Sequence, residues 1–254
     1  YAAAYWPLAD GAGEDLERDY VEAATRAGIV IAEVGAWSNP LSPDDAERAK
    51  ALRYCQTQLA LAERVGARCC VNIAGSRGAK WDGPSAADLT PTTFDLIVET
   101  VRAIIDAVRP TRTFYTLETM QWMYPDSVES YQQLLRAIDR PAFAVHFDPV
   151  NLVCSPQRYF ATGDLIRSFI AALGPRIRSC HAKDIILRDR ATVHLDEVRP
   201  GLGGLDYRTF LRELDRLDPD MPLMLEHLEM AEEYDEAAAH IRGVAREVGI
   251  SLGG

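Results

Sequence analysis

The sequence predicts an α/β protein, a (β/α)8 barrel. Helix-like stretches alternate with short, β-branched apolar runs along the whole chain, the pattern of stacked βα units. Nearly every apolar run ends in polar residues, as the carboxyl ends of barrel strands do, whereas an open sheet gathers its chemistry at one crossover. No glycine-rich phosphate turn follows any early strand, which also disfavours a doubly wound nucleotide-binding sheet. An open six-stranded sheet stays as the alternative.

The elements follow in order. A helix over 14–27 leads through Gly28 to a strand at 29–37 (IVIAEVGAW), and a helix over 43–65 leads through Gly66 to ARCCVNIAG at 67–75. A helix over 92–108, closed by Pro110, leads to TFYTLET at 113–119, and one over 127–138 leads through Pro141 to AFAVHFDPVN at 142–151. A helix over 163–173 stops at Gly174-Pro175 before RIRSCHAKD at 176–184. One over 207–217 leads through Pro219 and Pro222 to LMLEHL at 223–228, and a last helix covers 234–248. Glycine or proline stands between helix and strand almost every time, as helix termination requires. These are six strands, and a barrel needs eight, so one or two βα units are expected before Tyr1. With no linker or composition break, 1–254 reads as one domain.

Composition narrows the function. Among 254 residues, 48% are hydrophobic, enough for a large core. The net charge of −11 repels phosphate backbones and anionic lipid, which argues against nucleic-acid and membrane partners. No run reaches the roughly 18 apolar residues of a membrane span. Five cysteines without a C-x-x-C pair argue against a disulfide framework or zinc ribbon and for a reducing, cytoplasmic setting.

Alternation along a strand sends every second side chain to one face. Phe114, Thr116 and Glu118 then share a face, as do Ala144, His146 and Asp148, then Ser179, His181 and Lys183, and finally Met224 and Glu226. Four successive strands deliver Glu118, Asp148, His181 and Glu226 to one rim. Singly, a strand-end glutamate is usually solvated and a lone histidine is usually a hydrogen-bonded core residue. In conjunction they make an oxygen-and-nitrogen site for one divalent ion, Mn²⁺ first, with Mg²⁺, Co²⁺ and Zn²⁺ as alternatives. A cation also lets three acids converge without protonation.

These motifs, LET (117–119), HFDPVN (146–151), CHAKD (180–184), PGLGGLDY (200–207) and LEHL (225–228), resemble the sugar phosphate isomerase/epimerase family of xylose-isomerase-like TIM barrels. The resemblance implies that Glu118, Asp148, His181 and Glu226 bind the metal, that 29–37 is the third barrel strand, and that two βα units are missing. The related abasic-DNA endonucleases carry further histidines where this chain has Asn151 and Asn72, which argues against that branch.

One metal between two glutamates implies proton transfer beside a carbonyl through a metal-bound enediolate, with Glu118 and Glu226 as base and acid. The expected activity is an isomerase or epimerase of a keto or aldo sugar or polyol; a dehydratase of a keto-polyol such as a keto-inositol is the alternative. Lys183, Asn151, Trp122, Arg188 and Trp37 are the expected substrate contacts, with buried salt bridging, capping or core packing as their plainer roles. Arg77 is a further anion contact in this reading. His146 is expected to hydrogen-bond beneath Asp148; His227 is expected to point away from the site and has no assigned role. The partner is a small carbohydrate, and the resemblance is compatible with a homo-oligomer.

Overall fold

A computed structural model describes residues 2–253; Tyr1 and Gly254 lie outside the described residues. Seven parallel strands form one sheet in the order β1 (Ala2–Tyr5), β2 (Ile29–Gly35), β3 (Cys69–Asn72), β4 (Tyr115–Glu118), β5 (Phe143–Phe147), β6 (Ile177–Ala182) and β9 (Leu223–Leu225). The sheet curls nearly closed: β1 and β9 approach each other. Between them lies an apolar groove of about 370 Å³, lined by Val30, Leu223 and Ile241 among others.

The helices are α1 (Glu14–Arg26), α2 (Asp45–Val65), α3 (Pro91–Val108), α4 (Val128–Ile138), the single turn α5 (Pro156–Tyr159), α6 (Thr162–Leu173), α7 (Tyr207–Leu217) and α8 (Ala231–Val248). Their ends follow local chemistry. The Asp44 side chain accepts the amides of Ala46 and Glu47 at the start of α2, and Gly66, at φ 73°, ends it in the left-handed region. Thr90 caps α3, which begins on proline, and Ser127 and Ser130 cap α4 reciprocally.

Two corrections follow. The main sheet has seven strands, not six, because Ala2–Tyr5 pairs in parallel with Ile29–Glu33. Four residues rich in alanine carry no strand signal, and only the β2 edge makes them one. Ile29–Gly35 is therefore the second strand of the described sheet. Against an eight-stranded cylinder the shortfall is one strand, where the family resemblance counted two. The second correction is a two-stranded antiparallel ribbon, β7 (Asp184–Arg188) with β8 (His194–Val198), which begins on the last residue of the expected strand 176–184 and fills a stretch to which the sequence assigns no element.

The core lies between strands and helices. Phe147 stacks on Phe169 with centroids 4.0 Å apart and meets Phe210 edge-on. The Tyr131 hydroxyl lies 2.5 Å from the Leu117 carbonyl and 3.1 Å from that of Ala144, and accepts the His146 amide. One buried phenol thus fixes β4 against β5 just below their carboxyl ends. Asp184 fixes the opposite side: its carboxylate accepts the amides of Ile185, Gly201, Gly203 and Leu205, folding PGLGGLDY around itself. A side chain at Gly203 would overlap that carboxylate, so glycine is required there.

Candidate metal centre

β4, β5 and β6 each end on, or one residue before, a buried side chain of the site. Glu118 closes β4, Asp148 follows β5, His181 precedes the end of β6, and Glu226 follows β9. One donor atom from each of the four lies within 4.8 Å of every other. His181 Nδ1 is 3.1 Å from Glu118 Oε1, 2.8 Å from Glu226 Oε1 and 4.0 Å from Asp148 Oδ2. Its hydrogen-bonding geometry is good only toward Glu118. Sheet order places β4 and β9 three positions apart, so their carboxylates enter the cluster from different sides.

Lys183 stands in the same cluster. Its Nζ is 2.9 Å from Asp148 Oδ2, against Glu226 Oε1, and 3.7 Å from Glu118 Oε1. Asp148 Oδ2 and Glu226 Oε1 are buried and receive no well-aligned hydrogen bond; they face only the charged groups Lys183 and His181. Such orphaned buried oxygens, with a donor set of three carboxylates and one imidazole, fit a divalent cation.

Charges are balanced unevenly. Burial alone would raise the Glu118 carboxyl, but His181 and Lys183 hold it well below the usual range. Burial, reinforced by Glu118 and Glu226 and opposed by Lys183, pushes Asp148 up to about 6. Burial would lower the His181 imidazolium, but Glu33 and Glu118 raise it well above its ordinary value. Burial likewise opposes the Lys183 charge, and Asp148, Glu118 and Glu226 outweigh it.

Glu33 was not among the expected site residues. It is 1% exposed, and its carboxylate lies 3.0 Å from His146 Nε2, 3.3 Å from His181 Nε2, and against the Ser179 hydroxyl. It holds the ring nitrogen of His181 that faces away from the cluster, leaving Nδ1 to face the acids. One signal was available: an acid inside the otherwise apolar run IVIAEVG. His146, edge-on to His181 at 4.1 Å, pairs with Glu33 rather than with Asp148.

A cavity of about 750 Å³ opens above these groups. Trp37 and Trp122 line it, as does Asn151, whose Nδ2 donates to Glu118 Oε1 at 3.0 Å. Arg188 does not reach it: the guanidinium pairs with Asp196 at 2.9 Å across the β7–β8 ribbon, because the ribbon carries residues after Asp184 away from the barrel axis. Arg77 also stays outside, donating to the carbonyls of Leu41 and Ser42. His227 corrects the expectation in the other direction. β9 ends at Leu225, so strand alternation no longer applies. His227 adopts φ 58°, lines the cavity, and brings Nδ1 within 2.9 Å of Glu197 Oε1.

The chain belongs to the xylose isomerase-like TIM barrel family, whose model matches residues 5–244. No functionally curated protein matches the sequence. Solved structures share the fold. A D-tagatose 3-epimerase-like protein superposes with TM-score 0.73 at 15% identity, covering 97% of this chain and 88% of its own. The probable 3-DHS dehydratase AsbF of Bacillus anthracis gives 0.68 at 20% identity, covering 91% and 82%. A xylose isomerase-like TIM barrel protein from Mycobacterium smegmatis, in complex with magnesium, gives 0.67 at 16%, covering 94% and 80%. Among the described residues no helix is long and apolar enough to cross a membrane.

Proposed function

We propose that the chain, as one cytoplasmic domain, is a divalent-metal-dependent isomerase or epimerase of a keto or aldo sugar or polyol. The observation that carries the reading is the convergence of Glu118, Asp148, His181 and Glu226 within 4.8 Å at the ends of four successive strands of the main sheet. These four residues would hold the ion, Mn²⁺ or another of Mg²⁺, Co²⁺ and Zn²⁺. When bound, it supplies Lewis-acid polarisation of a carbonyl and charge stabilisation of the enediolate.

The chain's own residues do the rest. Glu118 and Glu226 enter from different sides, so one removes the proton beside the carbonyl while the other returns a proton to the planar intermediate. Asn151 orients Glu118, and Glu33 orients His181. Lys183 places an ammonium beside the acids, where it can donate to a substrate oxygen. Trp37 and Trp122 give sugar C–H groups an apolar wall and help keep water from the intermediate.

Dehydration of a keto-polyol is the second reading, supported by the fold shared with the AsbF dehydratase and by Lys183, whose ammonium beside Glu226 would hydrogen-bond the oxygen of a departing hydroxyl. Incubating the Mn²⁺-loaded protein with keto-sugars and keto-inositols in D₂O separates the two. An isomerase or epimerase returns the intact skeleton, with deuterium at the exchanging carbon or with a hydrogen carried across. A dehydratase yields an unsaturated ketone absorbing in the ultraviolet. Recovery of every compound unchanged and unlabelled would sink both.

A further inference from the structure

Three of the four donors already hold a cation that belongs to the chain. Lys183 Nζ lies 2.9 Å from Asp148 Oδ2, 3.7 Å from Glu118 Oε1 and against Glu226 Oε1. These are the same three oxygens that His181 Nδ1 faces, at 4.0, 3.1 and 2.8 Å. An ion bound by the four donors takes ligand atoms at about 2.0–2.6 Å, so it draws on the carboxylates that the ammonium holds. The two cations compete for one set of acids, and at such separations in a buried site they repel each other.

The Lys183 backbone is fixed. It joins β6 to β7, its carbonyl accepts the Tyr207 hydroxyl at 2.6 Å, and the next residue, Asp184, anchors the loop 200–205. Only the side chain can respond, a flexible four-carbon stem ending in a point charge. One further acid is within its reach: Glu197 Oε2, on β8, lies 3.8 Å from Nζ. Glu197 is outside the donor set and lines the cavity beside Lys183, and its other carboxylate oxygen faces His227 Nδ1 at 2.9 Å. An ammonium displaced from the three donors therefore has a counter-charge next to it, on the side from which substrate enters.

We propose that Lys183 is the resident cation of the metal-free centre: its ammonium holds Glu118, Asp148 and Glu226 together, and ion binding turns it from their shared oxygens toward Glu197. The proposal rests on reading the four donors as a metal site. It gives Lys183 two opposed effects that a fixed salt bridge lacks, since the side chain stabilises the metal-free fold and weakens ion binding. The test measures Mn²⁺ affinity by electron paramagnetic resonance, and melting temperature with and without saturating Mn²⁺, in wild type, Lys183→Met, Glu197→Gln and the double variant. Lys183→Met is expected to bind Mn²⁺ at least about tenfold more tightly than wild type. It is also expected to melt lower without metal and to gain more from saturating Mn²⁺ than wild type does. Glu197→Gln is expected to weaken Mn²⁺ binding in wild type and to matter less beside Lys183→Met, because Glu197 acts by receiving the ammonium; a direct pull on the ion would be equal in both backgrounds. Should Lys183→Met fail to fold without metal, acylation of the wild-type protein decides. The chain has only three lysines, and Lys50 and Lys80 are exposed, so mass spectrometry reads Lys183 against two internal standards. Its acylation is expected to rise when Mn²⁺ binds, and an unchanged or slower reaction overturns the proposal. Affinity of Lys183→Met equal to or weaker than wild type also overturns it and leaves the metal site standing. Absence of Mn²⁺ binding in wild type removes both.

Discussion

Replacing Glu33 by Gln tests the site at a residue outside the four donors. The carboxylate serves three neighbours, His146 Nε2 at 3.0 Å, His181 Nε2 at 3.3 Å, and the Ser179 hydroxyl. A glutamine of nearly the same shape offers one oxygen to these and turns an NH₂ toward the rest. If the amide nitrogen faces His181, Nε2 can no longer donate, and the neutral ring is held with its one proton on Nδ1, the nitrogen that must meet the ion; with Glu33 in place, the proton left after ion uptake stays on Nε2. The lost negative charge also costs a doubly charged ion more than the single proton it replaces. Removing a carboxylate that orients a ligating histidine costs roughly 10–100-fold in metal affinity, or about 1.4–2.7 kcal/mol. Mn²⁺ titrations followed by electron paramagnetic resonance on wild type and Glu33→Gln give the ratio, and thermal unfolding of the metal-free proteins shows whether the fold survives. Affinity within threefold of wild type, in a variant that keeps its melting temperature, would refute the idea that Glu33 sets the His181 ring.

Other outcomes follow from the same contacts. Because Asp148 is pushed up to about 6 and His181 is raised above its ordinary value, ion uptake must release protons. Mn²⁺ affinity should fall about tenfold from pH 7 to 6, and more steeply below 6 as Asp148 also protonates; a flat titration between pH 5.5 and 7.5 contradicts this. Glu118→Gln and Glu226→Gln should each lower turnover of an identified substrate by about 10²–10⁴ with little change in melting temperature, and near-native rates in either would remove the acid–base assignment. Glu63 accepts the amides of Thr111, Arg112 and Thr113 and the Thr111 hydroxyl, and these bonds outweigh its burial to hold it at about 2. Its contribution is present above the unfolded value of about 4.5 and is lost as pH falls toward 2. Glu63→Ala should therefore cost about 1–3 kcal/mol at pH 7, shrinking as a denaturation series is taken to pH 3. Phe147→Ala should cost about 3–5 kcal/mol in urea unfolding, since both ring partners lose contact.

Much of the barrel was legible because helix stops are written in single residues. Gly66, Pro110 and Pro141 sit between elements, and strand alternation puts Glu118, Asp148 and His181 on the inward face. What escaped depends on contacts made across the chain. Ala2–Tyr5 becomes a strand only because β2 offers it a ladder. The β7–β8 ribbon lies in a polar stretch whose alternation is weak, and it removes Arg188 from the site. Local alternation also misplaced His227, since a left-handed residue after the last strand position reverses the side to which the ring points. Glu33 was visible as an acid in an apolar strand, but its two histidine partners lie more than a hundred positions away, a relation no local pattern carries.

The site's electrostatics show how such a cluster can be part of a stable fold. Three carboxylates, Glu118, Asp148 and Glu226, lie at or next to the ends of barrel strands and a fourth, Glu33, lies within β2, with Lys183 and a protonated His181 among them, leaving two negative charges in excess. Taking acids out of water is costly unless cations and hydrogen bonds accompany them. Lys183 provides one such cation from within the chain, close enough to Asp148 to be its principal counter-charge. The remaining imbalance falls on Asp148, the acid raised toward neutrality. A divalent ion that displaces the His181 proton would cut this excess to one, and it would bring its double charge to oxygens that receive no well-aligned hydrogen bond. It would also leave Lys183 beside the acids, with Glu197 of β8 only 3.8 Å from its ammonium. The donor residues thus sit at or next to the ends of packed strands, while the groups around the mouth, Glu197 and His227, sit on a ribbon and a turn. That division puts precision where bonds to an ion need it and leaves adaptable segments to meet the substrate.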